Sequence, residues 1–169
     1  MDVEINSSDL AVIALGGNLP GAWPSVQAGL EAALERVGRL GFEILIVSRF
    51  WRSAAWPNLK DPPFLNAVAL ARTSLTPEAA MATLHRVETA FGRDRSAPNA
   101  PRTLDLDLIA LGPVVLNGDL ILPHPRAAER LFVMGPLAEI APNWRHPVLG
   151  QTAEVLASKA AIGQDAVPQ

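Results

Sequence analysis

The chain has 169 residues, 49 % of them hydrophobic, with no cysteine and a formal net charge of −3. A chain of that length is one domain able to bury a proper core; no apolar run reaches the roughly 18 residues of a membrane span, and the acidic start does not resemble a secretory signal. The charge balance argues against a general nucleic-acid binder, while the lack of cysteine removes disulfides, thiolate metal sites and cysteine nucleophiles and fits a reducing compartment, here the cytoplasm.

Leu10 to Leu15 (LAVIAL) reads as a buried first strand, closed by the turn formers Gly16-Gly17-Asn18-Leu19-Pro20. This loop is not a P-loop, because no lysine with serine or threonine follows it. From Pro24 to Arg39 a helix is predicted, with Val26, Leu30, Ala33, Leu34 and Val37 on one face and Gly41 beyond its end. FEILIVSRFWR, Phe42 to Arg52, reads as one second strand. Ser53 to Pro63 is a loop stiffened by three prolines, and Phe64 to Thr73 (FLNAVALART) is strand three. Thr76-Pro77 forms an N-cap followed by proline at the first helical position. The helix it opens carries Met81, Leu84, Val87 and Phe91 on one side and stops at Gly92. A polar loop, Arg93 to Pro101, leads into RTLDLDLIALG, Arg102 to Gly112, as a fourth strand expected to be central. Beyond it lie a hairpin (VVLNGDLIL, with a tight turn at Asn117-Gly118) and one or two short helices. The tail from about Ala160 is expected to be frayed.

The order β-α-β-β-α-β is the split-βαβ, ferredoxin-like arrangement. The expected fold is therefore α+β, one domain over residues 1–169, with an antiparallel sheet, helices on one face and the other face left free.

The fourth strand poses the chemical question. Side chains alternate along a strand, so Leu104, Leu106 and Leu108 share one side while Asp105 and Asp107 share the other, roughly 7 Å apart at their Cα atoms. Two carboxylates with no histidine in the motif suit Mg²⁺, which completes its shell with water and phosphate. The bland alternative is an edge strand carrying acids for solubility. Arg86, Arg93, Arg95 and Arg102 crowd the preceding interval, where an anionic ligand is expected to bind. Asn66 inside an apolar strand is also informative, because a buried amide must be paired.

PRTLDLDLIALG resembles the signature of the 6-hydroxymethyl-7,8-dihydropterin pyrophosphokinase family, folate-pathway enzymes that move a diphosphate from ATP to a pterin alcohol. LGGNL, FLNAVAL, VETAFGRDR and LPHPRAAERLFVMGPLAEIAP resemble further blocks of that family, in its order, between residues 10 and 145. The resemblance implies that Asp105 and Asp107 hold two Mg²⁺ ions bridging the ATP phosphates, and that Arg93 and Arg102 contact the phosphates and stabilise the transition state. Arg95 is a candidate for the same task. Glu88 corresponds to a residue near the ATP ribose, and His124 and Arg130 would help hold the nucleotide. Phe64 and Phe132 would wall the pterin slot, with Asn66 offering donor and acceptors to the ring edge. Ser53, Ala54 and Trp56 would line it through backbone and ring. His85 and His146 receive no chemical role. A monomer acting on small molecules is expected, with no nucleic-acid or membrane partner.

Two departures from the family pattern fall in one loop. Residues 93–101 carry no tryptophan, Asn99 standing about where some members place one, and Ala100 replaces the glycine that commonly precedes the proline. Two other readings remain at this point: a ferredoxin-like module that binds a heterocycle or nucleotide without reaction, and a metal-dependent phosphohydrolase built on the same aspartates.

Overall fold

A computed structural model describes residues 3–92 and 103–169. Strand β1 (Leu10–Gly17) lies between β4 (Phe64–Thr73) and β5 (Asp105–Leu111), antiparallel to both. Beyond β4 come β2 (Phe42–Val47) and β3 (Trp51–Ser53). Helices α1 (Val26–Gly38) and α2 (Pro77–Ala90) make the crossovers, which completes the expected ferredoxin-like order. Helix α2 starts where the sequence says, and α1 starts two residues later than predicted, at Val26. Ser25 Oγ accepts from Ala28 N–H at 3.1 Å, and Thr76 Oγ1 from Ala79 N–H at 3.2 Å.

The single second strand is in fact two. Phe42 faces Thr73, Ile46 faces Leu70 and Trp51 faces Asn66, so the register slips by one residue twice along β4. Ser48 fills the break: its N–H donates to Val68 O at 2.9 Å and its Oγ accepts from Val68 N–H at 3.0 Å. A bulge of this kind re-aims the strand after it without interrupting the apolar run that defines it in the sequence.

Alternation along the strands builds two cores. On one face Ala11, Ile13, Leu15, Leu65, Ala67, Ala69, Leu104, Leu106 and Leu108 pack against α1 and α2. On the other, Leu10, Val12, Val68, Leu70 and Ile109 pack against Val133, Met134 and Leu137 of α3 (Leu131–Ile140) and Leu156 of α4 (Ala153–Lys159). The second face is thus not left free. Strands apolar on both sides bury more surface when α3, itself apolar nearly all round, closes over them. Asn66, Asp105 and Asp107 lie on this second face but beyond that core.

Strand β5 is an edge, not a central strand: among the described residues its one partner in the sheet is β1. Its outer side is covered rather than bare. His124 N–H donates to Ile109 O at 2.7 Å, and Glu88 Oε2 accepts from Leu106 N–H at 3.1 Å. The hairpin forms between β6 (Leu116–Asn117) and β7 (Ile121–Leu122), with Asn117 paired to Ile121 rather than sitting in a two-residue turn.

The tail is not frayed. Ile162 N–H donates to Glu129 O, Leu131 N–H donates to Ile162 O, and β8 (Val167–Pro168) pairs with β3. Gln169 N–H reaches Phe50 O at 2.9 Å. Docking by main-chain bonds leaves little trace in composition, so a short stretch without a periodic apolar pattern can still be ordered.

Candidate active site

The register places the sequence candidates in one row across the second face. Asp105 is opposite Gly16, Gly16 opposite Asn66, and Asn66 opposite Trp51. Directly opposed residues of paired strands share a face. Asp105 and Asn66 are therefore two strand spacings apart, roughly 10 Å. Asp107 begins the next row, opposite Ala14. Both aspartates are half-buried, while Leu104, Leu106 and Leu108 face the opposite core. The predicted division of the strand holds.

Gly16 gives the row its shape. A Cβ at this position would lie 3.0 Å from Asn66 Oδ1 and 3.3 Å from Leu65 O. The missing side chain lets the amide lean over β1, toward the acidic side. Asn66 Nδ2 donates to Ser53 Oγ at 2.9 Å and to Trp51 O at 3.4 Å. Its protons are committed, so Asn66 offers a ligand its carbonyl oxygen and not the mixed donor and acceptor edge expected of it.

Glu88 is 1 % exposed and grips the main chain of β5 at Leu106, between the two aspartates. A ribose contact suits an accessible carboxylate; this one is buried, and its place is that of a brace for the acidic strand.

His124 belongs to the same neighbourhood. Its Nδ1 accepts from Arg126 N–H at 3.2 Å, which puts the proton of the neutral ring on Nε2. Burial first, then the positive charge of Arg130, hold its pKa below 6.5 against the opposing pull of Asp105, with Arg126 adding to the depression. One imidazole therefore feels both Asp105 and the arginines of the HPRAAER block. His146 is different: its Nδ1 accepts from Val148 N–H and Leu149 N–H, and burial depresses its pKa too. It organises a turn.

These two histidines set an acid limit on stability. Each is neutral in the folded state with a pKa below the ordinary 6.5. Below that value the unfolded chain binds more protons than the folded one, so stability rises with pH there. Their contribution is full above pH 6.5 and is lost as pH falls through the lower folded values. The thermal midpoint should be lower at pH 5.5 than at 7.5, with a shallower dependence in His146→Asn; a midpoint that rises on acidification would contradict this.

The pterin candidates divide. Ser53 and Phe64 are opposite each other at the β3–β4 pairing, and Ser53 holds Asn66. Phe132, on the first turn of α3, has the Arg130 guanidinium 5.7 Å from its ring centroid. Ala54 N–H donates to Asp165 Oδ2 at 2.6 Å. Trp56, 75 % exposed, is not gathered in with the rest. Arg93, Arg95 and Arg102, with Asn99 and Ala100, lie outside the described residues. On their far side Thr103 Oγ1 donates to Phe91 O at 2.7 Å.

Sequence reasoning missed Gly16 and Asp165. A glycine ending a strand is a signal of close approach that could have been taken for more than a turn; Asp165 carried none. The donor set fits a hard divalent cation. Asp105 and Asp107 present only oxygen, and among the described residues no group of three or more Asp, Glu, His or Cys side chains gathers to fill a metal's shell. A hard ion such as Mg²⁺ takes oxygen donors of this kind and completes its shell with water and phosphate.

Comparisons with known proteins bear on the family. A family model described as 7,8-dihydro-6-hydroxymethylpterin-pyrophosphokinase matches residues 12–142. A Synechocystis sp. protein named 2-amino-4-hydroxy-6-hydroxymethyldihydropteridine pyrophosphokinase is 41 % identical over 143 residues, 84 % of this chain and 71 % of its own. A Porphyromonas gingivalis protein of the same name is 34 % identical over 143 residues, 82 % of this chain and 94 % of its own. Among solved structures, a Plasmodium falciparum HPPK-DHPS crystallised with pterin and p-hydroxybenzoate superposes with a TM-score of 0.70 over 93 % of this chain, at 14 % identity. This chain spans 44 % of that one, and the likeness bears on the fold.

Proposed function

Because the chain belongs to the 7,8-dihydro-6-hydroxymethylpterin-pyrophosphokinase family, it is a pyrophosphokinase of folate biosynthesis that transfers pyrophosphate to hydroxymethyldihydropterin, and we propose how its own residues carry that transfer. ATP is the co-substrate the family implies. The observation that supports the assignment of residues is the single row Asp105–Gly16–Asn66, which sets an acidic pair and a lone amide carbonyl on one sheet face.

In this proposal Asn66 Oδ1 accepts a hydrogen bond from the pterin ring edge, and Phe64 and Phe132 wall the ring. Ser53 fixes the amide, with Ala54 and Trp56 in the adjoining loop. The hydroxymethyl arm then lies toward Asp105. Asp105 and Asp107 would hold two Mg²⁺ ions, whose charge would offset that of the polyphosphate. The pterin hydroxyl oxygen bonds to the β-phosphorus and gives up its proton to water, the bond from that phosphorus to the α–β bridging oxygen breaks, and AMP departs with that oxygen. Neutral His124 donates from Nε2 to a phosphate oxygen, and Arg130 adds positive charge beside it. Arg93, Arg102 and Arg95 take the remaining phosphate oxygens and the charge that develops on them. Glu88 acts indirectly, through the Leu106 N–H.

A monomer in the cytoplasm, acting on small molecules alone, completes the reading. No described helix is long and apolar enough to cross a membrane, and the cysteine-free composition suits a reducing compartment.

Incubation with ATP, Mg²⁺ and the reduced pterin alcohol should give AMP and pterin diphosphate in equal amounts. Inorganic phosphate and ADP instead would mark a phosphohydrolase, and binding without turnover a sensing module. Either outcome would overturn the proposal.

A further inference from the structure

The segment after α4 is tied down at two places that flank the proposed pterin slot. At one end, Ile162 exchanges main-chain hydrogen bonds with Glu129 and Leu131, at the start of α3. At the other, Val167 and Pro168 pair with Arg52 and Trp51 of β3, and Gln169 bonds to Phe50. Residues 163–166 therefore cross from α3 to β3, and two of the contacts they make on the way end on predicted pterin positions. Gly163 passes against the Phe132 ring so closely that a Cβ would lie 2.5 Å from Cδ1 and 3.0 Å from Cε1. Its φ of +73° also favours glycine, so neither the space nor the backbone admits another residue without a shift. Asp165 Oδ2 accepts from Ala54 N–H at 2.6 Å, a charge-assisted bond to the peptide that follows Ser53. Ser53 is the side chain that orients Asn66. Ala166, 4 % exposed, anchors the crossing between them.

We infer that this crossing is a wall of the pterin slot and that Asp165 is a positioning residue for pterin recognition, holding the Ser53–Ala54 peptide while Gly163 sets the Phe132 ring. The inference rests on the pterin slot proposed above. It assigns the segment a part in substrate binding without any contact to the reacting phosphates.

The test is steady-state kinetics on the full chain, varying pterin alcohol and ATP separately, for Asp165→Ala, Asp165→Asn and Asn66→Ala. Asp165→Ala should raise the pterin KM roughly five- to tenfold, the scale of one lost hydrogen bond, with the ATP KM and kcat little changed. Asp165→Asn keeps an acceptor oxygen and should recover most of the affinity. Pterin fluorescence titration of the free protein should show the same order, and thermal melts identify any variant whose fold has suffered. An unchanged pterin KM in Asp165→Ala, equal rises in both KM values, or tighter pterin binding would overturn the inference; the last would mean that the segment competes with substrate. Asn66→Ala separates the two claims. An effect there without one at Asp165 removes only the wall, whereas no effect at Asn66 in an active enzyme removes the slot and the wall together.

Discussion

Replacing Asp107 by alanine is expected to lower kcat by about three orders of magnitude or more, the scale of losing a metal ligand that stabilises transition-state charge. Its partner on β1 is Ala14, and its side chain lies outside both hydrophobic cores. Truncation there leaves no cavity, so the thermal midpoint should stay close to that of the parent. The measurement is AMP release at saturating ATP and pterin, paired with a melt. Full activity in a folded Asp107→Ala variant would remove the metal assignment, and with it the mechanism. Asp105, in the row that contains Asn66, should behave alike.

Leu106→Ala, between the two aspartates, should do the reverse. Leu106 is 1 % exposed and packs in the core beneath α1 and α2, so its truncation should cost about 2–5 kcal/mol of stability. The Leu106 N–H bond to Glu88 belongs to the main chain and survives the change. Turnover per folded molecule should therefore persist, measured well below the lowered midpoint. Denaturant unfolding gives the stability directly. A loss below about 1 kcal/mol would mean that the side chain is not packed as described. Neighbours in sequence thus separate cleanly, one face of β5 carrying stability and the other chemistry.

That separation was legible from the sequence because strand alternation is local. Once RTLDLDLIALG is known to be extended, the opposition of Leu104, Leu106 and Leu108 to Asp105 and Asp107 follows from the pleat. The helices were legible for a similar reason. Ser25 and Thr76 cap their own helices, and the apolar stripes of α1 and α2 repeat within a few residues. The order of these elements suffices for a ferredoxin-like sheet, and the blocks of resemblance sufficed for the reaction.

Tertiary structure decided what depends on partners distant in the chain. Nothing near Gly16 says that Asn66 will lean across it, or that Asp105 will stand on its other side; register between three strands says so. The edge position of β5 and its covering by Glu88 and the His124 main chain follow from the crossover, not from the strand's own residues. A second core under α3 was hidden because an apolar segment does not name the surface it will cover. The last residues were hidden most completely. They dock chiefly through backbone N–H and C=O groups, which every residue but proline carries alike, so their pairing leaves no side-chain pattern to read.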